Sequence, residues 1–407
     1  MRLIPLAVAS SILALSTACS AGSQTPDATS GAPVETRPAN DPSQVPAFEG
    51  QTRAPGVTTQ GTLTHSVIAS GLEKPWGLAL LPNGNWLVTE KAGRLRVVTP
   101  QGVIGAPISG VPAVDSKGQG GLLDVILSPS FGSDRLIYFS YAQPREGGNG
   151  TAVARARLSD DSTRLENLEV IFASANTYPG DKHYGSSLAF APDGKLYITL
   201  GERSDKPMRP DAQNLGTHHG KVVRINADGT VPADNPFIGR EGALPQNYTY
   251  GHRNPQGIAI QPGTGAVWTI EHGTRGGDEL NLIKPGNNYG WPIAAYGIEY
   301  SGDVIPNAVR EAEGTVQPVY YWDPVIAPGG MTFYEGTMFP EWNGNILAAG
   351  LGSKHLARLV IENDRVVGEQ RLLSGLGERI RDVAVAADGS VWVITDEEDG
   401  KLVRLSR

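Results

Sequence analysis

The sequence predicts an all-β protein, a six-bladed β-propeller. Two observations carry that expectation. One pattern recurs six times between Pro75 and the C-terminus: a short apolar strand, a turn with Pro, Gly, Asn or Asp, then a second strand rich in β-branched and aromatic residues. The composition agrees, with 51 Gly and 30 Pro in 407 residues and only 19% charged residues, as expected for many short elements joined by turns. A large β-sandwich has no reason to repeat one hairpin six times, whereas a ring of blades does.

The chain opens with "MRLIPLAVASSILALSTACS". Arg2 and an uncharged apolar run up to Cys19 form a secretory signal, too short to be a stable spanning helix. Cys19 is the single cysteine, so no intramolecular disulfide is possible. "LSTAC" resembles a bacterial lipoprotein signal, with Leu15 one place early and Ser16 where Leu is usual. The expectation is an exported protein, periplasmic or anchored to the outer membrane through a lipid on Cys19. Plain cleavage, giving a free periplasmic protein, is the alternative. Residues 20–61 are rich in Pro, Thr, Ser, Ala and Gly and are expected to be a disordered tether. The propeller is expected over 62–407. A net charge of −8 argues against nucleic acid or an anionic membrane surface as the main partner. It leaves room for a local cationic pocket that takes a small anion.

The six copies begin at Pro75, Gly121, Gly185, Pro255, Gly329 and Ile380. Their turns, such as "PNGN", "PDGK" and "ADGS", place Gly where a positive φ is needed. Two strands per copy, with further strands between copies, fit four-stranded blades. Such a ring gathers the loops that precede the first strands around one axis, so those loops are the place to look for chemistry.

Gln119 lies between glycines in "GQGGLLDV"; read alone, it is a solvated residue in a tight turn. His183, in "DKHYGSSLAF", stands at the matching place in the next copy. It suits a base at neutral pH, although a lone histidine is as readily a structural hydrogen-bonder. Arg253 and Asn254, in "YGHRNPQG", take the same place in a further copy. "EHGTRGGDELNLIKPGNNYGWP" flanks Asp278 and Glu279 with glycine-rich turns, a combination of carbonyls and carboxylates that suits Ca²⁺. A charged turn capping a blade is the plainer reading. In "ERIRDV", Arg379 and Arg381 share one face of a strand with Ile380 opposite. An anion across the two would relieve their repulsion, and planar guanidiniums fit carboxylates. Two solvated arginines on an outer strand are the alternative.

Taken in order, "GQGGLLDV", "YGHRNPQG", "EHGTRGGDE…NNYGWP" and "ERIRDV" resemble the quinoprotein aldose sugar dehydrogenases, the soluble glucose/sorbosone dehydrogenase family that uses pyrroloquinoline quinone (PQQ). The resemblance runs from about Leu72 to the C-terminus and implies a six-bladed propeller. It implies that His183 takes the proton of the sugar's anomeric hydroxyl while hydride passes from C1 to C5 of the quinone. Gln119, Arg253 and Asn254 match positions that hold the reactive oxygens of the cofactor. Arg379 and Arg381 match the pair on its carboxylates, and Tyr300 matches a cofactor-contacting tyrosine. The resemblance also implies a Ca²⁺ at backbone carbonyls near Gly273 and Thr274, and a further calcium site at Glu279 and Tyr289. One position departs from the pattern. The family usually sets a lysine on the cofactor in "G-A-L-K", and "AGLGSKHL" has Gly352 there with Lys354 two residues on.

The implied function is PQQ- and Ca²⁺-dependent oxidation of aldoses to lactones. The alternatives are a calcium-dependent propeller lactonase and a non-catalytic sugar-binding propeller. No C-x-x-C-H haem motif occurs, so a separate electron acceptor is expected. A monomer and a homodimer are both compatible with the sequence, which also does not specify the preferred sugar.

Overall fold

The computed structural model describes Met1 and residues 31–407; the expectations for the signal segment and Cys19 lie outside these residues. Six antiparallel sheets form a ring. Each of the six sequence copies supplies the innermost strand of one blade: Pro75–Leu80, Leu122–Leu127, Leu188–Phe190, Pro255–Ile260, Pro328–Phe333 and Ile380–Val385. Each inner strand packs on the next, and the last returns to the first.

The expectation of four strands per blade needs two amendments. Blade 1 has three strands, Pro75–Leu80, Trp86–Glu90 and Arg94–Val98. Blade 6 takes its outermost strand from the other end of the chain, where Thr64–Leu72 pairs antiparallel with Gly400–Ser406. That pairing closes the ring and leaves the last C-terminal strand without a free edge.

The core is divided rather than single. The six largest apolar clusters each fill the wedge between adjoining blades. Trp86 of blade 1 meets Trp392 of blade 6 at 5.2 Å between ring centroids, and Trp268 of blade 4 meets Phe333 of blade 5 edge-on at 6.2 Å. Strands in this position are buried on both faces, which is why Trp86–Glu90, Val267–Glu271 and Val391–Thr395 are buried throughout.

The tether reading is corrected for residues 31–61. This stretch lies along the outer edges of blades 4 and 5. The Asn40 backbone and side chain both donate to Asp323, the Gln51 side chain donates to the Pro318 carbonyl, and Glu35 accepts from Arg371. The Glu369 carbonyl accepts from the Val57 N–H, and the Glu369 N–H donates to the Pro55 carbonyl. The segment has little apolar surface to bury, so composition alone reads as disorder. It is held instead by polar side chains that satisfy exposed sheet edges.

Two truncations test the closure. A chain beginning after Leu72 loses all seven register pairs of the closing strand and should fail to fold or aggregate. A chain beginning at residue 62 keeps them and should fold with a lowered melting temperature. Circular dichroism melts of both proteins would check this; equal melting behaviour would mean that the terminal strand does not close the ring.

Candidate functional site

A local rule builds the site. In three blades, an acid at or just past the end of the second strand holds the cationic or imidazole side chain that precedes or opens the first strand of the same blade. In blade 3, Glu202 follows Lys195–Leu200, and its Oε2 lies 2.7 Å from Nδ1 of His183. In blade 4, Glu271 accepts from the Arg253 backbone N–H at 2.7 Å and lies 2.8 Å from Nδ1 of His252. In blade 6, Asp396 accepts from Arg379 at 3.0 Å and from Arg381 at 2.9 Å through one oxygen, Oδ2. Antiparallel pairing puts the end of the second strand beside the start of the first, as in the Pro255–Glu271 pair, so these contacts follow from the hairpin itself.

The loop carrying His183 is held in a rare conformation. His183, Gly185 and Ser186 all have positive φ, at 49°, 63° and 91°. A Cβ on Gly185 would stand 2.7 Å from the Thr199 carbonyl oxygen and the Leu200 Cα, so only glycine fits. Gln119 Oε1 accepts from the His183 backbone N–H at 2.8 Å, and Asn254 Oδ1 accepts from Gly185 N–H at 3.0 Å. A backbone N–H can bond only the oxygen of each amide, so both NH₂ groups are left pointing elsewhere. Gln119 and Asn254 are therefore positioning groups for the histidine loop, whatever else they touch.

His183 is buried. Burial and the nearby Arg253 lower its basicity, against the opposing pull of Glu202, and the balance leaves it below the usual histidine value. Burial would raise Glu202, but His183 and Arg253 hold it below the ordinary carboxylate range. Near neutral pH the pair is a carboxylate and a neutral imidazole. Nδ1–H donates to Glu202, and the lone pair is on Nε2.

A cavity of about 330 Å³ opens at Gln119, the residue that holds the His183 N–H, although His183 itself does not line it. It brings together Gln119, Arg379 and Arg381 with Lys74, Trp76, Lys91, Gln256, His272 and Asp396. Asp396 would be raised by burial, yet Arg381 and Arg379 hold it at about 2. The anion across the arginine pair is thus a side chain of the protein. Gln256 Oε1 joins the cluster, 3.0 Å from Arg381 Nη1 and 3.1 Å from His272 Nε2. Burial keeps His272 neutral, well below the usual range.

His272 also lines a second, tighter cleft with Arg253, Gly273, Glu271, Glu279 and Tyr289. Arg253 lies over Trp291 at 5.4 Å, and Arg209 lies over the same ring at 5.2 Å. Burial, and then Glu271, raise Glu279 well above the ordinary carboxylate value: two acids face each other with little cationic compensation. The Thr274 hydroxyl is buried without a partner. Tyr289 is stacked on His252, and its hydroxyl is spent between the Leu282 carbonyl and the Lys284 N–H. Among the described residues no group of three or more His, Cys, Asp or Glu side chains gathers as a metal cluster, so a cation here would rely on main-chain carbonyls.

His183, Asn254 and Thr274 line neither of these two cavities, and neither do Asp278, Tyr300, Gly352 and Lys354. Asp278, read as a ligand, is buried and accepts from the Gly273 and Ala327 backbone N–H groups at 2.8 and 2.6 Å; burial raises its carboxyl to about 7. It pins the glycine-rich loop to blade 5. Tyr300 is 69% exposed, just beyond Glu299, which pairs with Arg209 at the mouth. Gly352 lines neither cavity and has no positive φ; its N–H donates to the Ile326 carbonyl. Lys354 is exposed and donates to the Gly377 carbonyl.

Glu202, Gln256, His272, Asp396, Lys74 and Lys91 were not singled out in the sequence. The two acids carried a usable signal: "LGER" and "ITDE", like "TIEH" with Glu271, set an acid at the same end of the second strand in three copies. The two lysines carried none.

The comparisons with known proteins agree with this architecture. The sequence pattern of the family described as Glucose / Sorbosone dehydrogenase matches residues 72–404. The aldose sugar dehydrogenase YliI of Escherichia coli is 42% identical over 348 residues, covering 85% of this chain and 93% of that protein. A crystal structure of a glucose dehydrogenase is 49% identical with a TM-score of 0.81, over 84% of this chain and 99% of that one. The PQQ-bound form of an aldose sugar dehydrogenase from Streptomyces coelicolor is 28% identical with a TM-score of 0.68, over 86% and 99% of the two chains. The chain belongs to the glucose/sorbosone dehydrogenase family of oxidoreductases.

Proposed function

We propose that this protein oxidises aldose sugars to lactones, using PQQ as the hydride acceptor and Ca²⁺ as a structural and electrostatic partner, and passes the electrons to a separate acceptor. The observation that carries the reading is the neutral, buried His183 backed by Glu202 and joined through Gln119 to a cavity with four cationic side chains, on a protein of net charge −8. The residues present fit a polyanionic planar cofactor. The Nε atoms of Arg253 and Arg381 are buried without partners, and the cavity is of ligand size. Arg379 and Arg381 would hold carboxylates, and the free NH₂ groups of Gln119 and Asn254 would donate to carbonyl oxygens. Bound there, PQQ would supply a quinone that takes up two electrons with the hydride leaving C1. His183 Nε2 takes the anomeric hydroxyl proton. The imidazolium that forms is stabilised by the Glu202 carboxylate, and Arg253 stabilises negative charge that develops opposite.

Loading apo-protein with PQQ and Ca²⁺ and following sugar-dependent dye reduction tests the reading. His183→Ala should keep cofactor binding and lose roughly 10²–10⁴ in turnover. Near-wild-type turnover at saturating cofactor would remove His183 from the role of base.

The pH dependence has a definite sign. The base works only when neutral, and its pKa lies below the ordinary histidine value of 6.5, so the acid limb of kcat should fall below pH 6.5. Glu202 opposes that depression. Glu202→Gln should therefore move the acid limb lower still and reduce turnover above it. A limb that stays in place would disconnect Glu202 from the base.

For calcium, the proposed ligands are main-chain carbonyls at Gly273 and Thr274. At a further site they are Glu279 with the Tyr289 carbonyl, since the Tyr289 hydroxyl is already committed. A cation there would relieve the repulsion between Glu279 and Glu271. Exhaustive chelation should release PQQ and abolish activity, and Ca²⁺ should restore both. Activity that survives metal removal would count against this part.

Export with a lipid on Cys19 belongs to the same proposal and rests on "LSTAC". The wild-type chain should partition with membranes and Cys19→Ser should not; equal partitioning would leave a free exported protein.

A further inference from the structure

The cavity beside the histidine loop holds more positive charge than its arginine pair accounts for. Four cations line it, Lys74, Lys91, Arg379 and Arg381, against one carboxylate, Asp396. Three of the four have acidic partners. Arg379 and Arg381 share Asp396, and Lys74 meets Glu398 at 2.7 Å on the rim. Lys91 makes no salt bridge among the described residues, and its ammonium is held only by the Gly118 carbonyl.

The fold fixes Lys91 in that place. It directly follows the strand Trp86–Glu90, its N–H donates to the Lys74 carbonyl, and its own carbonyl accepts from Leu122 N–H. Those two bonds tie it to the entry strand of its own blade and to the inner strand of the next. Gly118, which orients the ammonium, immediately precedes Gln119, whose oxygen positions the His183 loop. Lys91 is half-buried, and burial, then Lys74, depress its ammonium, with Arg381 adding to the effect and Asp396 opposing it. A half-buried ammonium beside two other cations, with no carboxylate of its own, lacks the counter-charge that such a group ordinarily has.

We propose that Lys91 is a cofactor-binding cation of this protein, donating with Arg379 and Arg381 to the carboxylates of a planar polycarboxylate quinone. The proposal rests on the PQQ reading above and adds a residue to it. It also accounts for Gly352 and Lys354. Gly352 offers no side chain, Lys354 is turned outward to Gly377, and the positive charge facing the ligand comes instead from blade 1.

The test is equilibrium titration of Ca²⁺-loaded apo-protein with PQQ, followed by cofactor absorbance and by quenching of tryptophan fluorescence, since Trp76 lines the same cavity. Neither readout depends on turnover. Lys91→Gln and Lys91→Met should each weaken binding about tenfold or more, as loss of one charge-assisted contact implies. Lys91→Arg should stay within about threefold of wild type. Lys354→Ala should bind as wild type does. Because Lys91 has no salt bridge to lose, its uncharged variants should melt at the wild-type temperature without cofactor, and their circular dichroism establishes this before titration. Saturable wild-type binding with unchanged affinity in both uncharged variants would overturn the role of Lys91 and leave the PQQ reading standing. A strong loss in Lys354→Ala alone would move the role to Lys354. No saturable binding by the wild type would instead overturn the PQQ reading itself.

Discussion

The structure depends on how the loops that enter the inner strands satisfy their backbone N–H groups. These loops turn sharply at the axis, where the neighbouring strand cannot reach them. A buried N–H without an acceptor costs about 1–3 kcal/mol. Side-chain oxygens take up these donors, some from the same blade, as Thr89 does for Gly77 and Thr199 for Ser187, and others from an adjoining blade. Asp124 of blade 2 accepts from Leu188 of blade 3, and Asp382 of blade 6 accepts from Leu78 of blade 1. Gln119 and Asn254 do the same from either side of the His183 loop. The ring is stitched at its axis by these bonds as well as by the apolar wedges. The same bonds fix the loops that carry the chemistry, so holding the fold together and preorganising the site are one task.

The hairpin rule explains how one geometry yields different chemistry in different blades. The acid beyond the second strand is the constant. Where it meets an imidazole, as Glu202 meets His183, the product is an ionised acid behind a neutral base. Where it meets guanidiniums, as Asp396 meets Arg379 and Arg381, the product is a fixed positive fork. Near blade 4, Glu271 divides its oxygens between the His252 ring and the Arg253 backbone, which leaves the Arg253 guanidinium to lie over Trp291. The identity of the first-strand residue, not the backbone, decides the role.

The ring was legible because its signal is repeated: each copy begins at an inner strand. Closure by Thr64–Leu72 was not, because a lone strand at one end carries no periodicity that names its partner at the other. His183, Arg253 and the arginine pair were legible because they occupy one recurring position. Glu202 and Asp396 stood in an equally regular place, but an acid at the end of a strand reads as a solvated turn until the hairpin brings it under a partner. Asp278 reversed the error: a carboxylate in a glycine-rich loop reads as a metal ligand, and the fold spends both its oxygens on backbone N–H groups. Lys74 and Lys91 follow no pattern; they matter because of what faces them from other blades.

A carboxylate, Asp396 Oδ2, is already seated across the two guanidiniums of Arg379 and Arg381. The donors are not exhausted. Arg381 spends Nη1 on Gln256 and Nη2 on Asp396, and its Nε is buried without a partner. Arg379 spends Nε and Nη2 on Asp396, which leaves Nη1. Asp396 thus holds both planes in place through one shared oxygen and leaves one donor group on each arginine for another anion. With Lys91 on the same cavity, the charge balance stays positive after Asp396 is counted. An anion entering would not have to displace the internal carboxylate, only to complete a set of donors that the fold has already oriented.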